Sequence, residues 1–245
     1  LYLDPIMALS MAPSMLAFAP VMPALRAPTP AMDVRMETIA DLETLAVKLN
    51  PAVGFWDPIG LSKAELWDNT NEESIGWLRH AEIKHGRVAM AGFVGYCLQA
   101  NGVKFPWAPF DSITATSPPE QWDALPDAAK WQIILGVGFL EWWSEIRFDG
   151  TPHYMKGGKP GYVPAFDAVP EKLPHWVGLN LYDPFKWHAN MSAEKKQSGL
   201  VTEINNGRLA MLGIMGFLSE GKLEGSVPLL KGIIPHYAGE VMSPF

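Results

Sequence analysis

The chain has 245 residues, a formal charge of −7 and no cluster of Lys and Arg, which argues against a nucleic-acid partner. Only 18% of residues are charged, below the usual quarter, while ten Trp and twelve Met load the apolar side. The single cysteine, Cys97, excludes an intrachain disulfide, and a mean hydropathy of +0.04 limits a membrane reading to a few spans joined by polar connections.

Residues 1–35 are rich in Met, Ala and Pro and read as an extended arm or the remnant of a targeting segment. Pro13, Pro20, Pro23, Pro28 and Pro30 forbid one long span there. Residues 36–245 read as one domain. A short amphipathic helix fits 37–49, with Ile39, Leu42, Leu45, Ala46 and Leu49 on one face. A turn follows at Trp56-Asp57-Pro58, where the proline presets φ and the Asp caps locally. It recurs as Tyr182-Asp183-Pro184. Thr70-Asn-Glu-Glu73 is a capping box that opens a first long helix at about 71–101. At about 1.5 Å per residue such a helix is longer than a bilayer core, so it tilts or projects. A proline-rich connection leads to a middle helix at about 128–147, and a Pro/Gly/aromatic connection leads to a third at about 192–221. Residues 227–238 fit a short amphipathic helix on a membrane surface. Nothing alternates as strands. The expectation is an all-α membrane protein with three transmembrane helices and short amphipathic surface helices.

The first and third long helices carry an internal repeat. Glu82-Ile-Lys-His-Gly-Arg87 returns 121 positions later as Glu203-Ile-Asn-Asn-Gly-Arg208, and eight of eighteen paired positions from Glu82 to Gln99 are identical. Two copies of one helical unit imply a crossed pair about a pseudo-twofold axis. Each copy sets a Glu and an Arg at the mouth of an apolar run, where ionisable groups are costly and mark a partnered site. Glu82 and Arg87 lie about 140° apart around one helix, too far to pair well. In a symmetric crossing Glu82 meets Arg208 and Glu203 meets Arg87. Separate snorkelling of each pair into the headgroups is the alternative.

Glu82 and His85 project to neighbouring sectors of one face. Glu-x-x-His is the spacing of carboxylate-bridged di-metal sites in helix bundles, which need a second such motif. The second copy offers Asn206 instead, so a membrane di-metal carboxylate oxidase is a remote alternative. Asn oxygen suits Mg²⁺, a hard cation. Glu220, Gln132 and Glu141 are further single donors amid apolar residues. One donor per site is what a metallated tetrapyrrole requires, because its ring fills the four equatorial positions. Gly86, Ala89, Gly92 and Gly95 form a small-residue ridge, as do Gly207, Ala210, Gly213 and Gly216. Such ridges admit a close helix crossing or a flat ring against the backbone.

The two Glu-x-x-[His/Asn]-Gly-Arg-x-Ala-Met repeats, their order and the middle helix resemble the chlorophyll-binding light-harvesting antenna superfamily over about residues 50–240. The segment Gln132-Ile-Ile-Leu-Gly-Val-Gly-Phe-Leu-Glu141 looks like red-lineage chlorophyll a/c antennae, and residues 121–131 look most like dinoflagellate forms. The resemblance implies a multi-pass protein of the plastid thylakoid membrane, not an enzyme, that binds chlorophyll a, chlorophyll c and carotenoids of peridinin or diadinoxanthin type. Carried over residue by residue, Glu82, His85, Gln132, Glu141, Glu203, Asn206 and Glu220 would ligate chlorophyll Mg, with Gln99, Glu145 and His236 as weaker matches. Arg87 and Arg208 would lock the crossing. Trp56, Asp57, Tyr182 and Asp183 would flank carotenoid ends. Partners would be a photosystem core (I or II), neighbouring antenna subunits and membrane lipids. The function implied is light harvesting, with a photoprotective quencher of the same superfamily as the alternative. His80, His153, His175 and His188 read as surface or loop residues.

Overall fold

The computed structural model describes residues 36–147, 149–164, 185, 187 and 190–241. All of them belong to the second of two units, Val34–Phe245. The N-terminal arm, Tyr182 and Asp183, and His175 and His188 lie outside the described residues. Among the described residues the chain is helical, without strands.

Helix α1 spans Ile39–Leu49 and opens at Thr38, whose amide and hydroxyl donate to Asp41 at 2.9 and 2.7 Å. Its last turn is tied down where the Asn205 amide donates to the Leu49 carbonyl at 3.1 Å. Helix α2, Asn71–Ala100, begins at the capping box: Glu73 N donates to Thr70 Oγ1 at 3.3 Å, and Thr70 N returns a bond to Glu73 at 2.8 Å. Within the connection that follows lies a short helix α3, Pro118–Asp123, with proline in its first turn, where its missing N–H is not needed. Helix α4 spans Asp127–Ile146, and α5 spans Ala193–Lys222 behind a Ser192 cap.

The expected amphipathic helix at 227–238 is not formed. Turns run through Leu230 and Ile233, with Leu230 N bonding Val227 O at 2.9 Å and Ile233 N bonding Leu230 O at 3.0 Å. Pro228 and Pro235 lack the amides a helix uses, and Gly232 takes φ 77. Tyr237 closes the segment, its N–H on Gly221 O at 2.8 Å and its hydroxyl on Asp123 at 2.7 Å.

Helices α2 and α5 share the most extensive helix–helix interface. Repeat mates meet at its centre: a Cβ added to Gly207 lies 2.9 Å from Gly86 Cα, and one added to Gly86 lies 3.0 Å from Gly207 Cα. Backbone touches backbone there, which only glycine permits. Further along, Phe93 stacks on Phe217 at 4.9 Å and Tyr96 leans on the same ring at 5.0 Å. A Cβ on Gly213 meets Phe93 at 2.8 Å, whereas Gly92 and Gly95 face open space. The small-residue ridge is thus packed at one end and bare at the other.

Helix α4 stands apart. From Trp131 to Trp142 every residue is exposed except the half-buried Ile134. Its C-terminal third is anchored by Trp143, which donates to Pro164 O at 3.0 Å. Among the described residues no helix is long and apolar enough to cross a membrane. The three expected spans are therefore not legible in hydropathy. Glu82, Lys84 and Arg87 dilute α2, Glu203, Arg208 and Glu220 dilute α5, and Lys130, Glu141 and Glu145 dilute α4.

Candidate functional site

The close approach at Gly86 and Gly207 brings the charges on either side of it together. Arg208 reaches Glu82 Oε1 at 2.7 Å through both Nε and Nη2. Arg87 Nε reaches Glu203 Oε1 at 2.6 Å. Both reciprocal ion pairs form, in place of separate snorkelling. They are not equivalent. The second oxygen of Glu82 is taken by Arg79, a buried residue that also bonds Glu37 at 3.2 Å. Glu203 Oε2 meets no donor among the described residues, and Arg87 spends Nη1 on Gly161 O at 2.5 Å.

The candidate ligands divide by what else their donor atoms do. His85 is exposed, and its Nδ1 lies 2.8 Å from the Ala81 carbonyl. A carbonyl only accepts, so Nδ1 holds the proton and the Nε2 lone pair points outward, the tautomer a metal needs. Asn206 and Gln132 are exposed, and their amides have no hydrogen-bond partner among the described residues. Glu141 is bonded by Lys84 Nζ at 2.5 Å, and the same ammonium donates to Ser144 at 3.0 Å. A lysine on α2 thus offsets a carboxylate on α4.

Other candidates are engaged differently. Glu220 is 2% exposed, and its oxygens accept from Gly225 N at 2.8 Å, Val227 N at 2.8 Å and Ser226 Oγ at 3.4 Å. It organises the turn after α5 and turns no oxygen outward. Glu145 holds His153 at 2.8 Å and the Tyr154 hydroxyl at 2.9 Å through one oxygen. Gln99 is exposed beside a 330 Å³ pocket walled by Phe105, Phe110 and Trp122, and His236 is exposed beyond α5.

Asp57 gathers three amides, Gly60 at 2.9 Å, Leu61 at 3.0 Å and Ser62 at 2.9 Å, so it organises its own turn. The turn leaves Trp56 76% exposed and, with α1, walls a cleft of about 540 Å³. Leu45 and Leu49 line one side of it, and Arg79, Glu82 and Arg208 close one end. Among the described residues no group of three or more His, Cys, Asp or Glu converges.

His80 corrects its reading as a surface residue. It is 5% exposed, stacked on Tyr154 at 3.9 Å, and its Nδ1 accepts from Gly161 N at 3.0 Å. Arg79 and Lys84 were passed over as well. A signal for both existed, since each lies within one turn of Glu82 on a helix where unpaired charge is costly.

The protein-family model described as Chlorophyll A-B binding protein matches residues 42–222. The chain belongs to this chlorophyll-binding family. The matched stretch begins within α1 and ends on the last residue of α5, so both ion pairs and every candidate ligand except His236 fall inside it. The chain is similar to a chloroplastic fucoxanthin-chlorophyll a-c binding protein of Trieres chinensis, 30% identical over 74% of this chain and 79% of the relative. Protein A of that description from Phaeodactylum tricornutum is 31% identical over 71% and 78%. Protein E from Macrocystis pyrifera is 31% identical over 71% of each.

Proposed function

We propose that the chain is a light-harvesting antenna of the thylakoid membrane, binding chlorophylls and carotenoids and passing excitation to a photosystem core and neighbouring antenna subunits. Helices α2, α4 and α5 are its three spans. Their charges enter the membrane paired, as Arg208 with Glu82, Arg87 with Glu203 and Lys84 with Glu141, which lowers the penalty that plain hydropathy assigns them. The observation that carries the reading is the bare apolar surface. Leu135, Val137, Phe139 and Leu140 on α4 and Leu209, Leu212 and Met215 on α5 are exposed, and single polar donors stand among them. Flat, apolar, singly ligated rings suit that arrangement.

His85 and Asn206 are chlorophyll ligands in this reading, with Gln132 and Glu141 on α4, and Glu82 and Glu203 through carboxylates offset by arginine. Chlorophylls a and c are expected because the similar proteins are named for them. Those names also carry fucoxanthin, which favours an oxygenated carotenoid of that type over peridinin or diadinoxanthin. The cleft beside Trp56 and Asp57 receives a carotenoid end group.

Pigment extraction from the purified protein tests this. Chlorophylls a and c with carotenoid are expected in fixed ratio, and His85→Leu is expected to remove one chlorophyll with helix content unchanged. A colourless native protein, or a full chlorophyll complement in His85→Leu, would overturn the reading or the ligand assignment, respectively.

A further inference from the structure

The two copies of the repeat differ in charge just ahead of their glutamates. Arg79 lies three residues before Glu82, and its repeat mate 121 positions on is Leu200, three before Glu203. Arg79 is buried, 8% exposed, and its guanidinium bridges two carboxylates: Nη1 donates to Glu82 Oε2, and Nε donates to Glu37 Oε2 at 3.2 Å. Leu200 is 37% exposed and brings no donor. Lys84, whose mate is Asn205, sends its ammonium to Glu141 on α4 and leaves Glu82 to the arginines. Among the described residues Glu82 therefore bonds two guanidinium groups, Arg79 and Arg208, and Glu203 bonds Arg87 alone. Solvent does not level this difference, because the two glutamate side chains are almost equally accessible, 24% and 27%.

Each carboxylate oxygen offers two lone pairs. Arg208 occupies Glu82 Oε1 through Nε and Nη2, and Arg79 takes one position on Oε2. One lone pair is left on Oε2, enough for a single axial bond to Mg. Glu203 accepts one bond on Oε1, and its Oε2 meets no donor among the described residues. A guanidinium bonded to a ligating oxygen draws electron density from it and sets a positive charge beside the ligated ring. The bond to Glu37 holds that charge at a fixed place. A charge held out of water displaces the absorption band of a chromophore whose ground and excited states distribute charge differently.

We propose that Arg79 is a positioning residue that makes the two crossed chlorophyll sites inequivalent. It assigns Oε2 as the ligating oxygen of Glu82 and weakens that oxygen as a donor. It thereby sets the absorption band of the Glu82 chlorophyll apart from that of its Glu203 mate. The inference rests on Glu82 and Glu203 being chlorophyll ligands, as proposed above. Its consequence for an antenna is an energy step across the crossing instead of two degenerate sites, so excitation is drawn to one side of the helix pair.

The test compares low-temperature absorption spectra of the pigment-loaded wild type, Arg79→Leu, Arg79→Lys and Leu200→Arg. Chlorophyll is counted by extraction, and melting is followed by far-ultraviolet circular dichroism in the same samples. Arg79→Leu gives the first copy the residue of the second, and one chlorophyll band is expected to shift. Leu200→Arg gives the second copy the charge of the first. Because the pseudo-twofold axis makes the two positions equivalent, a different band is expected to shift in the opposite sense. Arg79→Lys keeps the charge and is expected to hold the band near its wild-type place even where melting falls. A packing role alone moves melting and spectrum together in both Arg79 variants, and that result overturns the proposal. So does an Arg79→Leu spectrum that superimposes on the wild type, or loss of the chlorophyll instead of a shift. If Arg79→Leu fails to fold, Leu200→Arg decides, and an unmoved spectrum there rejects the proposal. A colourless wild type overturns the antenna reading itself, whereas an unmoved spectrum in a pigmented protein overturns this inference alone.

Discussion

Replacing Gly207 with Ala puts a methyl carbon 2.9 Å from Gly86 Cα, on backbone that cannot turn aside. Carbon atoms rest at about 3.5–4.0 Å, so α2 and α5 must part by roughly 0.6–1 Å at the crossing. The same displacement stretches the Arg208–Glu82 contact from 2.7 Å and the Arg87–Glu203 contact from 2.6 Å toward the limit of a hydrogen bond. Overpacking of this kind costs about 1–3 kcal/mol, and a weakened ion pair adds up to about 1 kcal/mol. At about 2–4 °C per kcal/mol for a chain of this size, the melting temperature should fall by several degrees. The control is Gly92→Ala on the same ridge, where an added Cβ meets nothing within 4 Å. There alanine gains helix propensity of up to about 1 kcal/mol, and the protein scaffold should not weaken. The assay is thermal unfolding of both variants in one detergent, followed by far-ultraviolet circular dichroism. Wild-type melting of Gly207→Ala, or an equal loss in both variants, refutes the backbone crossing as the fold's central contact.

Removal of the two arginines should be unequal. Arg208→Leu leaves Glu82 bonded to Arg79 and should cost about 1 kcal/mol, whereas Arg87→Leu strands Glu203 and should cost about 2–3 kcal/mol; equal melting of the two variants contradicts the asymmetry. Glu220→Ala should loosen the turn at Gly225 and Val227, seen as faster amide exchange there, and leave the chlorophyll count unchanged. Loss of one chlorophyll from that variant would restore Glu220 as a ligand. Burial opposes the charge of Asp149, but bonds from Tyr162 and Thr151 outweigh it and hold its carboxyl below the usual 3.8. A group lowered on folding stabilises above its unfolded value and loses that contribution as pH falls through the folded one. The Asp149–Tyr162 tie should therefore persist at pH 5 and fail only below about 3.8, read by Tyr162→Phe melting progressively more like the wild type as pH falls.

The crossing was legible because a repeat writes the same residues twice. Once Glu82 and Arg87 are seen to be too far apart on one helix, their mates are the only symmetric partners left. Caps were legible for the same local reason: Thr70 and Glu73 lie three apart, and their bonds join nothing more distant. What escaped was set across long separations. Lys84 and Glu141 are 57 residues apart, and no period links them. His80 is buried only because Tyr154 and Gly161 fold over it. The bonds of Glu220 escaped because they belong to a turn after α5, whose Gly225 and Val227 amides need an acceptor that no helical period marks. The segment 227–238 had the apolar content of a surface helix, but Pro228, Gly232 and Pro235 prevailed over it.

The antenna reading is tested most directly by the fluorescence-excitation spectrum of the purified native protein. Carotenoid and chlorophyll c absorption should both appear in the excitation of chlorophyll a emission, with an emission lifetime long enough for onward transfer. Emission excited only through chlorophyll a, or emission quenched to a very short lifetime, would contradict light harvesting as the function of this fold.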